Sequence, residues 1–134
     1  MPKPSPNARP TPGLQAGRLA PCPASPNCVC SHDTDPAHAV APLPFHGPAA
    51  AAMLALKRTI AGRPRVRVVA ETPGYLHAEF RTAVFRFVDD VEFLLSEEER
   101  VIHVRSASRI GYSDLGTNRR RIEAIRREFA ALNP

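Results

Sequence analysis

Proline fixes φ and removes a backbone donor, so clustered prolines exclude helix interiors and central strands. In this 134-residue chain, 12 of the 15 prolines lie within residues 1–48. Regular structure is therefore confined mainly to residues 49–134. Residues 1–20 carry almost nothing a core would want and read as a disordered Pro-rich tail. Residues 21–48 read as irregular chain that lies on a core through Val29, Val40, Leu43 and Phe45. The expected organisation is a tail, 1–20, and one domain, 21–134.

Beyond the prolines the patterns become periodic. Residues 49–61 are apolar and Ala-rich, with Met53, Leu56 and Ile60 on one stripe and Gly62 as a stop. Strand patterns occupy 66–71, 75–82, 88–95 and 101–106, with a bend expected at 83–88. In 75–82, Leu76, Ala78 and Phe80 share one face. A four-residue loop at 97–100 would pair Ser96 with Val101, Leu95 with Ile102 and Phe93 with Val104. It sets Glu92 opposite Arg105 and Leu94 opposite His103. A final helix is expected at 117–132, with Leu115, Ile122, Ile125, Phe129 and Leu132 in line. Asn118 falls inside that stripe, Arg121 flanks it and Arg120 points away. The fold class is α+β: an antiparallel sheet of about four strands with two helices packed on one face, preceded by the Pro-rich irregular segment.

Net charge is +5 with a pI near 9.7. The basic residues are 16 Arg against 2 Lys, the usage of a GC-rich coding sequence, and the acids are grouped between Asp89 and Glu99. No nucleic-acid partner is expected. No run of 18 apolar residues exists, so no membrane span is expected. The N-terminus lacks the apolar region of a standard secretory signal, which points to the cytoplasm.

The segment RSASRIGYSDLGTNRRR, residues 105–121, mixes Ser, Arg, Gly, Asp and Asn before a helix start. Free N–H groups with Arg and Ser nearby make an anion cradle, and the candidate contacts are Arg105, Ser106, Ser108, Arg109, Asn118 and Arg121. The plainer alternative is a helix capped by Ser113 or Asp114, with Gly111 and Gly116 in turns. Asp89, Asp90 and Glu92 form a second group, with Asp90 and Glu92 on one strand face and Asp89 on the other. They serve either as acid and base or as partners of Arg105, Arg109 and Arg121. Inward-facing Asn118 is expected to bond the 105–114 segment, and Arg121 to pair with one of the three acids.

Cys22, Cys28 and Cys30 lie near His32, Asp33 and His38, but the spacing matches no standard zinc site and no metal is expected. A Cys22–Cys28 disulfide is geometrically allowed, while free thiols are the default in a chain without a signal. A nucleophilic Cys28 would need a base, and His77 or His103 would serve.

LAPCPASPNCVCS, PLPF, FRFVDDVEFLL and IHVRSASRIGYSDLGTNRRRIEAI, in that order from Leu19 to Leu132, resemble the domain-of-unknown-function family 1499 (DUF1499). The resemblance implies a small bacterial and plastid-type α+β domain, with no known activity, substrate or cofactor. Family positions fall here on Cys22, Pro26, Asn27, Cys28, Asp89, Asp90, Glu92, Arg105, Ser106, Ser108, Arg109, Gly111, Asp114, Asn118 and Arg121. Cys30 departs from the Ser typical of the family, and many relatives are exported or membrane-tethered. The leading expectation is a domain that binds a small anion or acidic group through the 105–121 segment, without a cofactor. One alternative is an enzyme using Asp89, Asp90 or Glu92 with His103 or Cys28. The other is an interaction module with a polar network of Asp89, Asp90, Glu92, His103 and Asp114. Oligomeric state is not readable.

Overall fold

The computed structural model describes residues 12–111 and 114–134. Its strands are β1 (Leu14–Gln15), β2 (Arg18–Leu19), β3 (Cys28–Cys30), β4 (Leu43–Pro44), β5 (Val66–Thr72), β6 (Tyr75–Arg81), β7 (Val88–Ser96) and β8 (Val101–Ser108). The helices are α1 (Ala49–Ala61) and α2 (Thr117–Leu132).

An antiparallel sheet runs β3-β8-β7-β6-β5, with β4 also paired to β8. The β7–β8 register matches the sequence expectation pair for pair, from Ser96 with Val101 to Glu92 with Arg105. That register reflects pleat alternation: a slip of one residue would turn Phe93, Val104 and Ile102 out of the core. Arg100 closes the hairpin at φ 59. Its side chain donates to the Gly47 carbonyl and lies over the Phe45 ring.

Two expectations are corrected. The sheet has six strands rather than about four, because β3 and β4 are short pieces that share the free edge of β8. An edge strand tolerates proline where its N–H is not needed, so Pro44 is admitted. The tail expected over 1–20 is shortened: β1 and β2 form a hairpin ribbon, and Leu19 and Ala20 are buried. Residues 1–11 lie outside the described residues.

Strand alternation gives the sheet two unlike faces. On one, Leu76, Ala78, Phe80, Val91, Phe93, Ile102 and Val104 pack against α1 and α2 in the main core. Val29, Val40, Leu43 and Phe45 join it from the Pro-rich segment, as the sequence suggests. The other face carries Leu19, Cys22, Cys28, Cys30 and Ala107 under the N-terminal ribbon, flanked by Tyr75 and Leu94. Cys22 and Cys28 are joined by a disulfide with Cα atoms 5.7 Å apart, and Cys30 is a buried free thiol that burial pushes up in pKa.

Candidate functional site

The same alternation divides the residues expected to form one anion cradle. Ser106 and Ser108 point to the helices, whereas Arg105 and Arg109 point to the opposite face. The six candidates therefore do not surround one ligand position, and each has an internal partner.

On the helix face the centre is Asn118, fully buried in α2. Its Oδ1 accepts from Ser106 Oγ at 2.6 Å and from Arg121 Nη1 at 2.8 Å. Its amide donates to the Asn27 carbonyl, to Ser108 Oγ and to Asp114 Oδ2. Arg121 Nη2 pairs with Asp89 Oδ2 at 2.7 Å, and its guanidinium lies over Phe80. Asp114 accepts the backbone N–H groups of Gly116 and Asn118. The N-terminus of α2 is thus filled by the chain's own carboxylate, which satisfies the helix dipole an anion would have used. The N-cap residue is Gly116 rather than Asp114, whose carboxylate reaches the first turn from two residues earlier, and Ser113 lies outside the described residues. Asn27 ties this network to the turn by donating to the Gly111 carbonyl at 2.6 Å.

On the opposite face Arg109 grips Asp90 through two nitrogens at 2.8 Å and reaches Glu79 at 2.6 Å. His77 Nε2 also meets Asp90, at 2.8 Å. Burial pushes the Asp90 carboxyl up, but the hydrogen bonds from Arg109 and His77 outweigh it and hold it down at about 2. Glu92 accepts from the Tyr75 hydroxyl at 2.6 Å and from the Gly13 N–H at 2.8 Å. Burial and the bond to Glu92 drive the Tyr75 hydroxyl above its usual pKa. Arg105 donates to the Ala20 carbonyl and faces Glu92 across 3.6 Å, so ribbon and sheet are bound through one buried ion pair. Glu92 Oε1 and Arg105 Nη1 make no hydrogen bond among the described residues.

His38 Nδ1 donates to the Cys28 carbonyl, and Asp33 accepts from the backbone N–H groups of Cys22 and Asp35. Among the described residues no three His, Cys, Asp or Glu side chains converge to hold a metal ion. The disulfide removes Cys28 as a nucleophile. His103 stands apart from the acids with which the sequence groups it. It is bonded to Glu99 and Ser31 at the far end of β8.

What sequence reasoning missed is an apolar cleft of about 420 Å³ beside the Asn118 network. Val84, Phe85 and Phe87 form one wall, and Ile110 and Leu115 form the other. Asp89, Ser108, Asp114 and Thr117 line its polar part. Helical spacing places Leu115 in the buried α2 stripe. It is instead 83% exposed, because the chain turns left-handed at Leu115 (φ 54) and Gly116 (φ 79) before the helix begins. Phe85 is 75% exposed and stacks on Phe87 with ring centroids 5.5 Å apart. The signal in the sequence is AVFRFV, an apolar run that fits no strand alternation.

A family model described as "Protein of unknown function (DUF1499)" matches residues 18–129. A search of curated proteins finds no match. Among the described residues no helix is long and apolar enough to cross a membrane.

Proposed function

We propose that this chain, which belongs to the DUF1499 family, is a binding module that holds a small, largely apolar molecule in the cleft between the 82–87 loop and the start of α2. The observation that carries the reading is the convergence of exposed Val84, Phe85, Phe87, Ile110 and Leu115 on one concavity. Its volume lies in the usual range for small-molecule sites, roughly 300–1,000 Å³, and an apolar lining with a few polar groups is their usual chemistry. Backbone conformation supports it. Arg86 (φ 60), between the lining residues Phe85 and Phe87, and Leu115 (φ 54), itself in the lining, are left-handed non-glycine residues. Each such residue costs roughly 1–2 kcal/mol, a strain that concentrates at binding loops.

The polar network then acts as a rigid floor. Arg105, Arg109 and Arg121 are paired with carboxylates, and Asp114 fills the helix N-terminus. This favours an apolar ligand over the small anion and over acid–base work by Asp89, Asp90 or Glu92. The Cys22–Cys28 disulfide supports an oxidising compartment rather than the reducing cytoplasm.

The test is fluorescence of N-phenyl-1-naphthylamine, a neutral apolar dye, with thermal melts in inorganic phosphate alongside. Wild-type protein should enhance the dye. Phe85→Ser and Ile110→Ser should each weaken binding by about tenfold, the effect of losing one buried apolar side chain. Phosphate should leave the melting temperature unchanged. No enhancement, or enhancement indifferent to both substitutions, overturns the reading. Stabilisation by phosphate would restore the anion.

A further inference from the structure

We infer that a second site, on the opposite face of the sheet, carries a nucleophile: Ser31, with His103 as its base and Glu99 as the residue that positions His103, acting on small esters. The inference is independent of the apolar cleft. Ser31 directly succeeds β3, His103 lies on β8 and Glu99 lies in the β7–β8 turn, so long-range pairing brings them together.

Ser31 Oγ lies 2.9 Å from His103 Nδ1, and His103 Nε2 lies 2.9 Å from Glu99 Oε1. Hydrogen-bond accounting assigns the protons. A carboxylate only accepts, so Nε2 carries a hydrogen and donates it to Glu99. Ser31 Oγ already accepts the Val104 N–H at 2.8 Å, so its own proton is left for Nδ1. The Ser31 N–H bonds the Val104 carbonyl at 2.8 Å, which fixes the serine from both sides. Nucleophile, base and carboxylate in hydrogen-bond series is the arrangement that activates a serine.

A cavity of about 220 Å³ opens beside this series, lined by His103, Glu99, His32 and Arg18 among others. Ser31 is half-buried and is joined to this lining through its hydrogen bond to His103. The His32 ring lies tilted against that of His103 with centroids 3.8 Å apart and accepts the Leu19 N–H at Nδ1, which leaves its Nε2–H as a donor. Burial, His103 and Arg18 lower the His32 pKa to about 4, so it is neutral at physiological pH. Neutral His32 and cationic Arg18 therefore give the wall two donors for a carbonyl oxygen as it gains charge.

The reaction balances without an added reagent other than water. Ser31 Oγ bonds to the ester carbonyl carbon while its proton passes to His103 Nδ1. The carbon–oxygen bond to the alcohol breaks, and the departing oxygen takes that proton. Water then attacks the acyl-serine, His103 again carrying the proton, and the acid leaves.

The test is labelling of the full chain with a fluorophosphonate, whose phosphorus–fluorine bond a reactive serine breaks to form a phosphonyl ester and release fluoride. Peptide mapping should place the adduct on Ser31, and Ser31→Ala should abolish it. His103→Gln should slow labelling at least about 100-fold, the usual weight of a general base. Glu99 is exposed, so Glu99→Gln should fold normally. The groups facing His103 are Glu99 from the turn, Ser31 and His32 from the segment after β3, and, behind His32, Arg18 of the ribbon. Loss of the Glu99 charge should therefore move the pH midpoint of labelling to lower pH, a change that a merely structural role would not produce. Folded wild-type protein left unlabelled at Ser31 overturns the inference, as does an unchanged pH profile in Glu99→Gln.

Discussion

Asn118 is a polar side chain with no exposed surface on the apolar stripe of a helix, and it is stable there because every arm of its amide is used. An unpaired buried polar group costs about 1–3 kcal/mol, so position and partners are mutually required. Arg121 is the bridge from Asn118 to Asp89. Arg121→Met should lower unfolding free energy by at least ~2 kcal/mol, because it strands a buried carboxylate. Among the described residues Arg120 is held by exposed contacts to Leu115 and Thr117, so Arg120→Met should stay within about 0.5 kcal/mol. Urea denaturation of the two variants checks this, and equal small losses would contradict it. Both placements are legible from helical phase at 100° per residue. The division of the arginines from the serines is not, because RSASR has the composition of a loop. Pairing with Asp89 of β7, supported by β3 along Arg105–Ala107, carries the strand on to Ser108, and with it the alternation that turns Arg105 and Ser106 to opposite faces.

At the scale of elements, the four long strands and both helices are readable because each carries its own periodicity. The short ones are not. β3 and β4 exist only by borrowing the edge of β8, and no local pattern of two or three residues announces such pairing. The Cys22–Cys28 bridge holds the chain before β3 against that edge. It spans a sequence separation of 6, and a loop this short restricts the unfolded chain by about 2 kcal/mol in the chain-entropy description. Denaturation with and without reductant should show a loss of that size, and Cys22→Ser/Cys28→Ser should reproduce it. Buried Cys30 should then alkylate slowly under native conditions and fast in urea, since burial keeps its thiol protonated. The cleft loops escape sequence reasoning for a different reason: Leu115 belongs to the α2 stripe by spacing, and only the left-handed turn at 115–116 takes it out.

For the whole molecule, two groups with lowered pKa values, Asp90 and His32, set the pH response. Asp90 is held down at about 2 from an ordinary 3.8, so its stabilisation is present above 3.8 and is lost as pH falls toward 2. His32 is lowered from 6.5 to about 4, so the unfolded chain takes that proton first and stability falls as pH drops from 6.5 to 4. Both slopes have the same sign. Unfolding free energy should rise continuously from about pH 2 to 6.5 and flatten above it, and His32→Gln should remove the upper part of the slope. Urea titrations at stepped pH measure this, and a maximum near pH 4 would contradict it.

The central claim is that the arginine-rich network is a satisfied floor and the apolar cleft beside it is the binding face. Amide chemical-shift mapping by NMR tests it in one measurement, with N-phenyl-1-naphthylamine and inorganic phosphate titrated in parallel. The account predicts saturable shifts with the dye, confined to residues 82–89, 108–111 and 114–117, and none with phosphate. Phosphate shifts centred on Arg109, Asn118 and Arg121, with the cleft silent to the dye, would contradict it.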